Sequence, residues 1–192
     1  MMIHRPGRPR CIEVALLLAA VGLPSAGAQL LGPEFQVNSY TTLAQYRPAV
    51  AADSFGNFVV VWSDGSQEFP SASGVFGQGF DATGVALGGE FHVNSFTPGQ
   101  QRYPAIAASG SNNFLVVWES AGEDGSARGI FGRRFSAAGL PAGSAFMVNT
   151  YTPENQEEGA ICCNAGGDFV VTWSSYTQDG HYNGIFGQRF AR

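Results

Sequence analysis

The sequence contains three copies of one motif, and this repetition constrains the fold more than any other feature. The copies begin as EFQVNSYT at Glu34, EFHVNSFT at Glu90 and AFMVNTYT at Ala145, so their starts lie 56 and then 55 residues apart. A tryptophan ends an apolar run at the same place in each copy: Trp62, Trp118 and Trp173. A repeat of this length is one structural unit that cannot bury its apolar face alone, so the copies must pack on one another.

Each unit reads as four short strands separated by turn residues, and in the first unit these are FQVN, PAVAA, FVVVW and VFGQGF. Helix is disfavoured because glycine, asparagine, serine and β-branched residues dominate, and no segment keeps a 3.6-residue apolar period. The sequence therefore predicts a single all-β repeat domain over residues 29–192, with units at 34–89, 90–144 and 145–192.

The third strand of each unit is apolar on both faces. In FVVVW, side chains alternate, so Phe58, Val60 and Trp62 point one way while Val59 and Val61 point the other. Such a strand needs cover on both sides. Face-to-face stacking of neighbouring sheets supplies that cover, as in the blades of a β-propeller, and this is the leading prediction. The alternative is a closed threefold β-trefoil or β-prism, which also contains three four-stranded units.

The third unit also matches a known repeat at the following positions: Phe146, Val148, Asn149, Phe169, Val170, Val171, Trp173, Gln178, Asp179, Gly180, Gly184, Gln188, Arg189 and Phe190. With these residues the chain resembles a tandem repeat of large secreted bacterial proteins, in which F-x-VN-T-x-T, G-x-F-V-V-x-W, Q-D-G and G-I-x-x-Q-R-F follow one another. The resemblance covers nearly all of residues 29–192. It implies blades of a β-propeller, and it implies no activity.

The first 28 residues have the features of a secretory signal peptide. Three arginines (Arg5, Arg8 and Arg10) precede the apolar run 14–23, and the small residues of Ala26-Gly27-Ala28 suit a cleavage site. We expect cleavage after Ala28 and a secreted or periplasmic protein. No other segment approaches the roughly 20 apolar residues of a membrane span, so we expect none.

The charge balance disfavours nucleic acid as a partner. The chain has 10 basic and 15 acidic residues, and three of the basic and one of the acidic residues lie within residues 1–28. Residues 29–192 therefore carry a net charge of −7. A surface of this sign repels phosphate groups.

The presence of three repeat units predicts that a second copy of the chain is a partner. Propellers typically have 4 to 8 blades, so three blades do not easily close a ring. The segment Glu34-Phe35 is the counterpart of Glu90-Phe91, and it can complete the last sheet in its own chain or in a second chain. A symmetric homodimer with six blades is our hypothesis, whereas the threefold alternative predicts a monomer.

Polar residues that recur in all three units are interpreted as scaffold. Asparagines at 38, 94 and 149 and glutamines at 45, 101 and 156 are expected to hold turns and to bond between strands. Asp124-Gly125 and Asp179-Gly180 lie in loops with other oxygen-bearing side chains, which makes calcium conceivable. A D-G turn between two strands is the plainer interpretation, so no metal site or cofactor is assigned.

The loops that differ among units are the predicted binding surface. They span residues 63–73, 119–128 and 174–183, and their candidate ligand-binding residues are Phe69, Asp124, Arg128, Tyr176, Asp179, His181 and Tyr182. Aromatic and arginine side chains are the usual anchors of such contacts. The prediction is a non-catalytic module that presents these loops to a protein or glycan partner. The alternatives are a lectin-like sugar binder and a carbohydrate-active hydrolase.

No catalytic residue is assigned, because no histidine-based triad or zinc spacing is found in the sequence. The acidic pairs Glu123-Asp124 and Glu157-Glu158 favour a hydrolase only if their carboxylates converge on one cleft. Cys162 and Cys163 are neighbours on a strand, so their side chains point apart and a bond between them is strained. We expect both thiols to be buried and unpaired, with a bridge to another molecule in an oxidising compartment as the alternative.

Overall fold

The computed structural model describes residues 31–68, 73–110 and 112–192, and within these ranges all regular secondary structure is β. The all-β prediction is confirmed. The described chain falls into two units, which meet at Phe35, and the second unit, Gln36–Arg192, holds every assigned strand. No described helix is long and apolar enough to cross a membrane. The predicted signal peptide, residues 1–28, lies outside the described ranges.

The strands form three antiparallel sheets. Sheet 1 contains β1 (Gln45–Ala52), β2 (Phe58–Asp64), β3 (Gly74–Phe80) and β4 (Phe91–His92). Sheet 2 contains β5 (Gln101–Ala108), β6 (Phe114–Ala121), β7 (Arg128–Phe135) and β8 (Phe146–Met147). Sheet 3 contains β9 (Gln156–Cys163), β10 (Phe169–Tyr176) and β11 (Asn183–Phe190). Within the described ranges the three sheets do not close into a ring.

Sheets 1 and 2 each take their fourth strand from the next repeat unit. The first residues of the second unit form β4, where Phe91 pairs with Gly77 of β3. Likewise Phe146 of the third unit pairs with Gly132 of β7. The corresponding segment of the first unit, FQVN at 35–38, is not assigned as a strand. Sheet 3 therefore has three strands in the described chain, and β11 is its edge.

The apolar core lies between the sheets. One cluster joins sheet 1 to sheet 2, and its buried members are Val59, Val61, Val75, Val93, Phe114, Val116, Trp118, Phe131, Phe135 and Ala137. A second joins sheet 2 to sheet 3, with buried members Leu115, Val117, Ile130, Val148, Phe169, Val171 and Trp173. Alternate residues of β6 belong to different clusters, so this strand is covered on both faces.

Burial of the three equivalent strands depends on their place in the stack. All of residues 114–118 in β6 are buried, as a strand that is apolar on both faces requires. In β10, Phe169, Val171 and Trp173 are buried against sheet 2, but Val170 is 38% exposed. One face of sheet 3 is therefore open in the described chain.

The repeated asparagines form hydrogen bonds with the backbone of a neighbouring strand and of the turn that follows them. The Asn94 Oδ1 accepts a bond from the Val75 N–H at 2.8 Å, and the Asn149 Oδ1 accepts one from the Ile130 N–H at 2.7 Å. The amide nitrogen of Asn94 donates to the Phe96 carbonyl two residues ahead. These bonds satisfy backbone groups of the neighbouring strand and of the turn, which is the predicted scaffold role.

The glutamines act in the same way. Gln101 and Gln156 are fully buried, and their amide nitrogens donate to the carbonyls of Pro98 and Pro153, each at 2.9 Å. Gln45 donates to the Thr42 carbonyl at the same place in the first unit. The three glutamines therefore stabilise the loop that precedes the first strand of each sheet.

The prediction for the cysteines is only partly correct. Both thiols are free, as expected, but Cys162 is exposed and Cys163 is half-buried. Cys162 pairs with Val170 and lies on the same open face of sheet 3. The prediction of burial was wrong because it assumed that every sheet is covered on both sides.

Candidate functional site

The first strand of every sheet carries a bulge at the same place. The strand register shifts between Tyr46 and Ala49 in β1 and between Arg102 and Ala105 in β5, and the pairing of β9 with β10 shifts likewise. At each shift one residue adopts a left-handed backbone: Arg47 (φ 57°), Tyr103 (φ 53°) and Glu158 (φ 59°).

Three aligned residues in this conformation are unusual, because residues other than glycine rarely adopt positive φ. Each such residue costs on the order of 1–3 kcal/mol, and bulges commonly re-aim a side chain next to a binding site. The backbone is the same in all three sheets, whereas the side chains are a cation, an aromatic ring and an acid. We call Arg47, Tyr103 and Glu158 the bulge site.

The three bulges border one open cavity of about 510 Å³, lined by Arg47, Pro48, Tyr103, Pro104, Glu158 and Gly159. This volume lies within the range of ligand pockets, roughly 300–1,000 Å³. Sequence reasoning missed this site. The signal in the sequence is a variable residue directly before the landmark Pro48, Pro104 or Gly159, but nothing in it shows that the three strands converge.

Two arginines contact the tyrosine of the bulge site. The Arg47 guanidinium carbon lies 5.0 Å from the centre of the Tyr103 ring, and that of Arg102 lies 4.5 Å from it. Cation–π contacts of this kind hold a guanidinium in place while leaving its N–H groups available for hydrogen bonds. The cavity is therefore lined by a guanidinium that rests on an aromatic ring, that of Arg47, and by the acidic residue Glu158.

Each of two bulges is fixed by the second strand of the preceding sheet. The Tyr103 N–H donates to the Ser63 hydroxyl at 3.1 Å, and the Glu158 N–H donates to the Glu119 Oε1 at 2.8 Å. Ser63 and Glu119 hold equivalent positions, directly after the tryptophan of each unit. The neighbouring sheet thus satisfies a backbone donor that the bulge removes from the strand ladder.

Two arginines and two glutamates form a series of ion pairs next to the bulge site. The Arg102 Nε donates to the Glu119 Oε2 at 3.3 Å, and the Arg128 Nη1 donates to the Glu157 Oε1 at 2.6 Å. The Arg102 Nη2 lies 4.0 Å from that same Glu157 oxygen and joins the two pairs. Glu119 is only 1% exposed and both of its oxygens are engaged, so its role is to position Arg102 and the bulge at Glu158.

Burial raises the pKa of Glu119, and the negative charge of Glu157 adds to the rise. The Glu158 N–H and the positive charge of Arg102 lower that pKa but do not offset the burial. The folded protein therefore holds the Glu119 proton to a higher pH than the unfolded chain does.

This pKa shift leads to an expected pH dependence of stability. Because the folded pKa of Glu119 is the higher one, its contribution to stability is complete below the unfolded pKa, about 4.3. It falls as the pH rises from there through the folded pKa. The unfolding free energy of the wild type should therefore decrease relative to that of Glu119→Gln over this window. Urea unfolding at a series of pH values measures it, and parallel profiles for the two proteins would contradict the assignment.

The predicted loop residues fall into two groups in the structure. Phe69 lies outside the described residues. Asp124 lies in the loop between β6 and β7, and Arg128 begins β7. Arg128 donates a hydrogen bond to Glu157, which brings this loop beside the start of β9. Tyr176, Asp179, His181 and Tyr182 lie together around the loop between β10 and β11. Both loops are at the end of the sheets where the bulges lie.

The aspartates form the turns that the D-G sequence predicts. The Asp124 Oδ1 accepts a bond from the Ser126 N–H at 3.0 Å, and the Asp179 Oδ1 accepts one from the His181 N–H at 3.1 Å. The glycines that follow have φ of 84° at Gly125 and 88° at Gly180. Within the described ranges, no group of three His, Cys, Asp or Glu side chains is arranged to hold a metal ion.

The structure brings the two predicted tyrosines together. The rings of Tyr176 and Tyr182 lie 6.5 Å apart at an angle of 54°, and Tyr182 is 81% exposed. Asp179 and His181, in the same loop, are also exposed. This end of sheet 3 thus displays two aromatic rings beside polar groups, an arrangement suited to contacts with a partner.

The chain matches no protein-family model, and no curated protein sequence is significantly similar to it. It is similar in structure to a protein of unknown function from Dyadobacter fermentans, with a TM-score of 0.55 and 12% identity over 80% of this chain and 40% of that chain. An endo-arabinase from Bacteroides thetaiotaomicron gives a TM-score of 0.49 and 11% identity over 77% of this chain and 56% of that chain. This chain therefore covers less than two thirds of either protein, and the first likeness concerns the fold alone.

Proposed function

We propose that the chain is an exported, non-catalytic repeat module that binds a protein or glycan partner at the end of its sheets where the bulges and loops lie. The observation that carries this proposal is the bulge site. Three strands adopt the same strained, left-handed backbone conformation at equivalent positions. The residues at these positions, Arg47, Tyr103 and Glu158, differ in charge and shape. Strained residues cluster at binding sites, and here three of them border one cavity.

The exposed tyrosines support a role in recognition. Tyrosine offers a large contact area with few rotatable bonds, and its hydroxyl satisfies polar partners. Tyr176 and Tyr182 lie on the same side of the sheets as the bulge site. The net charge of −7 on residues 29–192 disfavours nucleic acid as the partner.

The architecture that fits this role is a set of β-propeller blades, with residues 1–28 removed on export. The stacking of sheet 2 between sheets 1 and 3 supports blades, because sheet 2 buries both of its faces against its neighbours. Within this proposal the module acts as a homodimer, since sheet 3 of the described chain has an open apolar face. The threefold β-trefoil or β-prism stays the alternative, and it requires a closed monomer.

A carbohydrate-active hydrolase is the second candidate function, and the raised pKa of Glu119 is the observation in its favour. A glycosidase acid has this property, but it must also reach the glycosidic oxygen. Glu119 is shielded from solvent and both of its oxygens accept hydrogen bonds from the protein. We therefore propose that the cluster is structural and that the module binds without catalysis.

Binding can be tested by presenting the purified protein to a glycan array and to a panel of proteins that the same organism exports. We expect retention on one of them and a loss of about thirtyfold in affinity on Tyr182→Ala, the size of a contact hot spot. Val85→Ala is the matched control, because Val85 is exposed in the turn between β3 and β4 at the opposite end of sheet 1. Absence of retention on both surfaces would contradict the proposal, and so would hydrolysis of an arrayed oligosaccharide that is lost in Glu158→Gln.

A further inference from the structure

Sheet 3 has one open face, and the equivalent face is buried in sheet 1 and in sheet 2. In sheet 2 the same face carries Leu115, Val117 and Ile130, all buried against sheet 3. Sheet 1 carries Val59, Val61 and Val75 at these positions, buried against sheet 2. Sheet 3 carries Val170, Thr172 and Ile185, which are all exposed, and Ile185 is 78% exposed. The face has the pattern of a stacked sheet without a neighbour in the described chain.

The edge of sheet 3 shows a matching feature. Gly77 is buried, and a Cβ atom at this position would lie 2.6 Å from the Phe91 ring of β4. Gly132 is buried in the same way, with its Cβ position 3.0 Å from the Phe146 ring of β8. In both sheets the glycine leaves room for the phenylalanine of the fourth strand.

Gly187 occupies this position in β11, but its surroundings differ. Its Cβ position meets only Thr172 and Val171 of its own sheet, and Gly187 is exposed. Sheet 3 thus keeps the glycine that admits a phenylalanine ring at its edge. The segment with the matching sequence is Glu34-Phe35, because it begins the first unit as Glu90-Phe91 begins the second.

We propose that a second copy of this chain docks on sheet 3. Residues 34–38 of that copy pair with β11 as its fourth strand and place Phe35 over Gly187. Sheet 1 of that copy stacks on the open face that holds Val170 and Ile185. The proposal deepens the proposed function, on which it rests for treating the sheets as blades, and it names the surface that joins two modules.

Two polar positions fit this docking. The Asn38 side chain would accept a bond from the Ile185 N–H, as Asn94 and Asn149 do for the equivalent residues of sheets 1 and 2. The Ser174 hydroxyl would accept a bond from the Arg47 N–H, because it follows the tryptophan of its unit as Ser63 and Glu119 do. The first bond repeats a contact that the chain makes within sheets 1 and 2, and the second repeats one that it makes between neighbouring sheets.

Two such contacts, one in each direction, join two copies into a closed dimer. Each copy gives sheet 1 and residues 34–38 and receives the other copy on sheet 3, so both contacts are equivalent under a twofold axis. The pair contains six sheets, a number found among propellers. The pair would also contain two bulge sites, one from each copy, related by the same twofold axis.

The test is the mass of the purified protein by light scattering, with no partner present. We expect twice the mass of one chain for the wild type and the mass of one chain for Ile185→Asp, at equal thermal stability of the isolated chains. Leu140→Asp is the matched control, because Leu140 is 67% exposed in the turn between β7 and β8 and is not part of the open face of sheet 3. It should leave the mass at two chains.

Hydrogen exchange of the Ile185 amide gives a second readout, since pairing with a fourth strand protects it. We expect protection in the wild type and its loss in the single-chain variant. A single-chain mass for the wild type would overturn the proposal, even with the amide protected, because the chain's own N-terminal segment would then occupy the edge. Masses that grow beyond two chains with concentration would also overturn it. Partner binding by Ile185→Asp, measured separately, tells failure of pairing from failure of the proposed function.

Discussion

Val117→Asp is expected to unfold the protein or to leave it only marginally stable. Val117 is fully buried between sheets 2 and 3 among Leu115, Ile130 and Trp173. An aspartate there would place a charge in an apolar layer without a partner, which costs on the order of several kcal/mol. A domain has a net stability of only about 5–15 kcal/mol, so this single change removes a large part of it. Urea unfolding followed by tryptophan fluorescence measures the loss.

Thr172→Asp is the matched control, since Thr172 is the counterpart of Val117 in sheet 3. Thr172 lies on the face of sheet 3 that a second copy is proposed to cover, so both variants are compared at a dilution where light scattering shows single chains. In a single chain this side chain is exposed, so the new carboxylate stays in water and the unfolding free energy should change by less than about 0.5 kcal/mol. Similar losses in both variants would contradict the stacking of the sheets, because they would mean that the two faces have the same surroundings.

The architecture was readable from the sequence where a residue pattern has one physical solution. The apolar run around Trp118 demands cover on both faces, and the structure provides it from sheets 1 and 3. The repeated Asn94 and Gln101 carry hydrogen-bonding groups that suit turns, and their side chains do bond to turn and strand backbone. In these cases the local chemistry and the packing point to the same arrangement.

The same reasoning failed where the outcome depends on a neighbour. Cys162 aligns with Ala51 and Ala107 and was predicted to be buried, but a residue's burial depends on the sheet that covers it. Likewise FQVN at 35–38 has the pattern of the strand at Phe91, yet it is not assigned as a strand. Sequence similarity between repeats predicts the strand, whereas pairing requires an available edge.

The bulge site could not be predicted because its determinant is backbone conformation. Glycine or asparagine commonly marks a left-handed residue, but the chain has Arg47, Tyr103 and Glu158 there. Their differing side chains hide the equivalence that the shared φ values reveal. The predicted Tyr176 and Tyr182 were found from loop composition alone, and their proximity became visible only in the structure.

The central claim is that sheet 2 is covered on both faces, and thiol labelling at adjacent residues of β6 tests it most directly. Leu115→Cys points towards sheet 3 and Val116→Cys towards sheet 1, with Cys162 and Cys163 replaced by alanine as in the other two units. Leu140→Cys is the exposed reference. Because labelling of a buried thiol requires local opening, we expect both β6 thiols to react at least about a hundredfold more slowly than the reference. Reaction of either one at the rate of the reference would contradict the account.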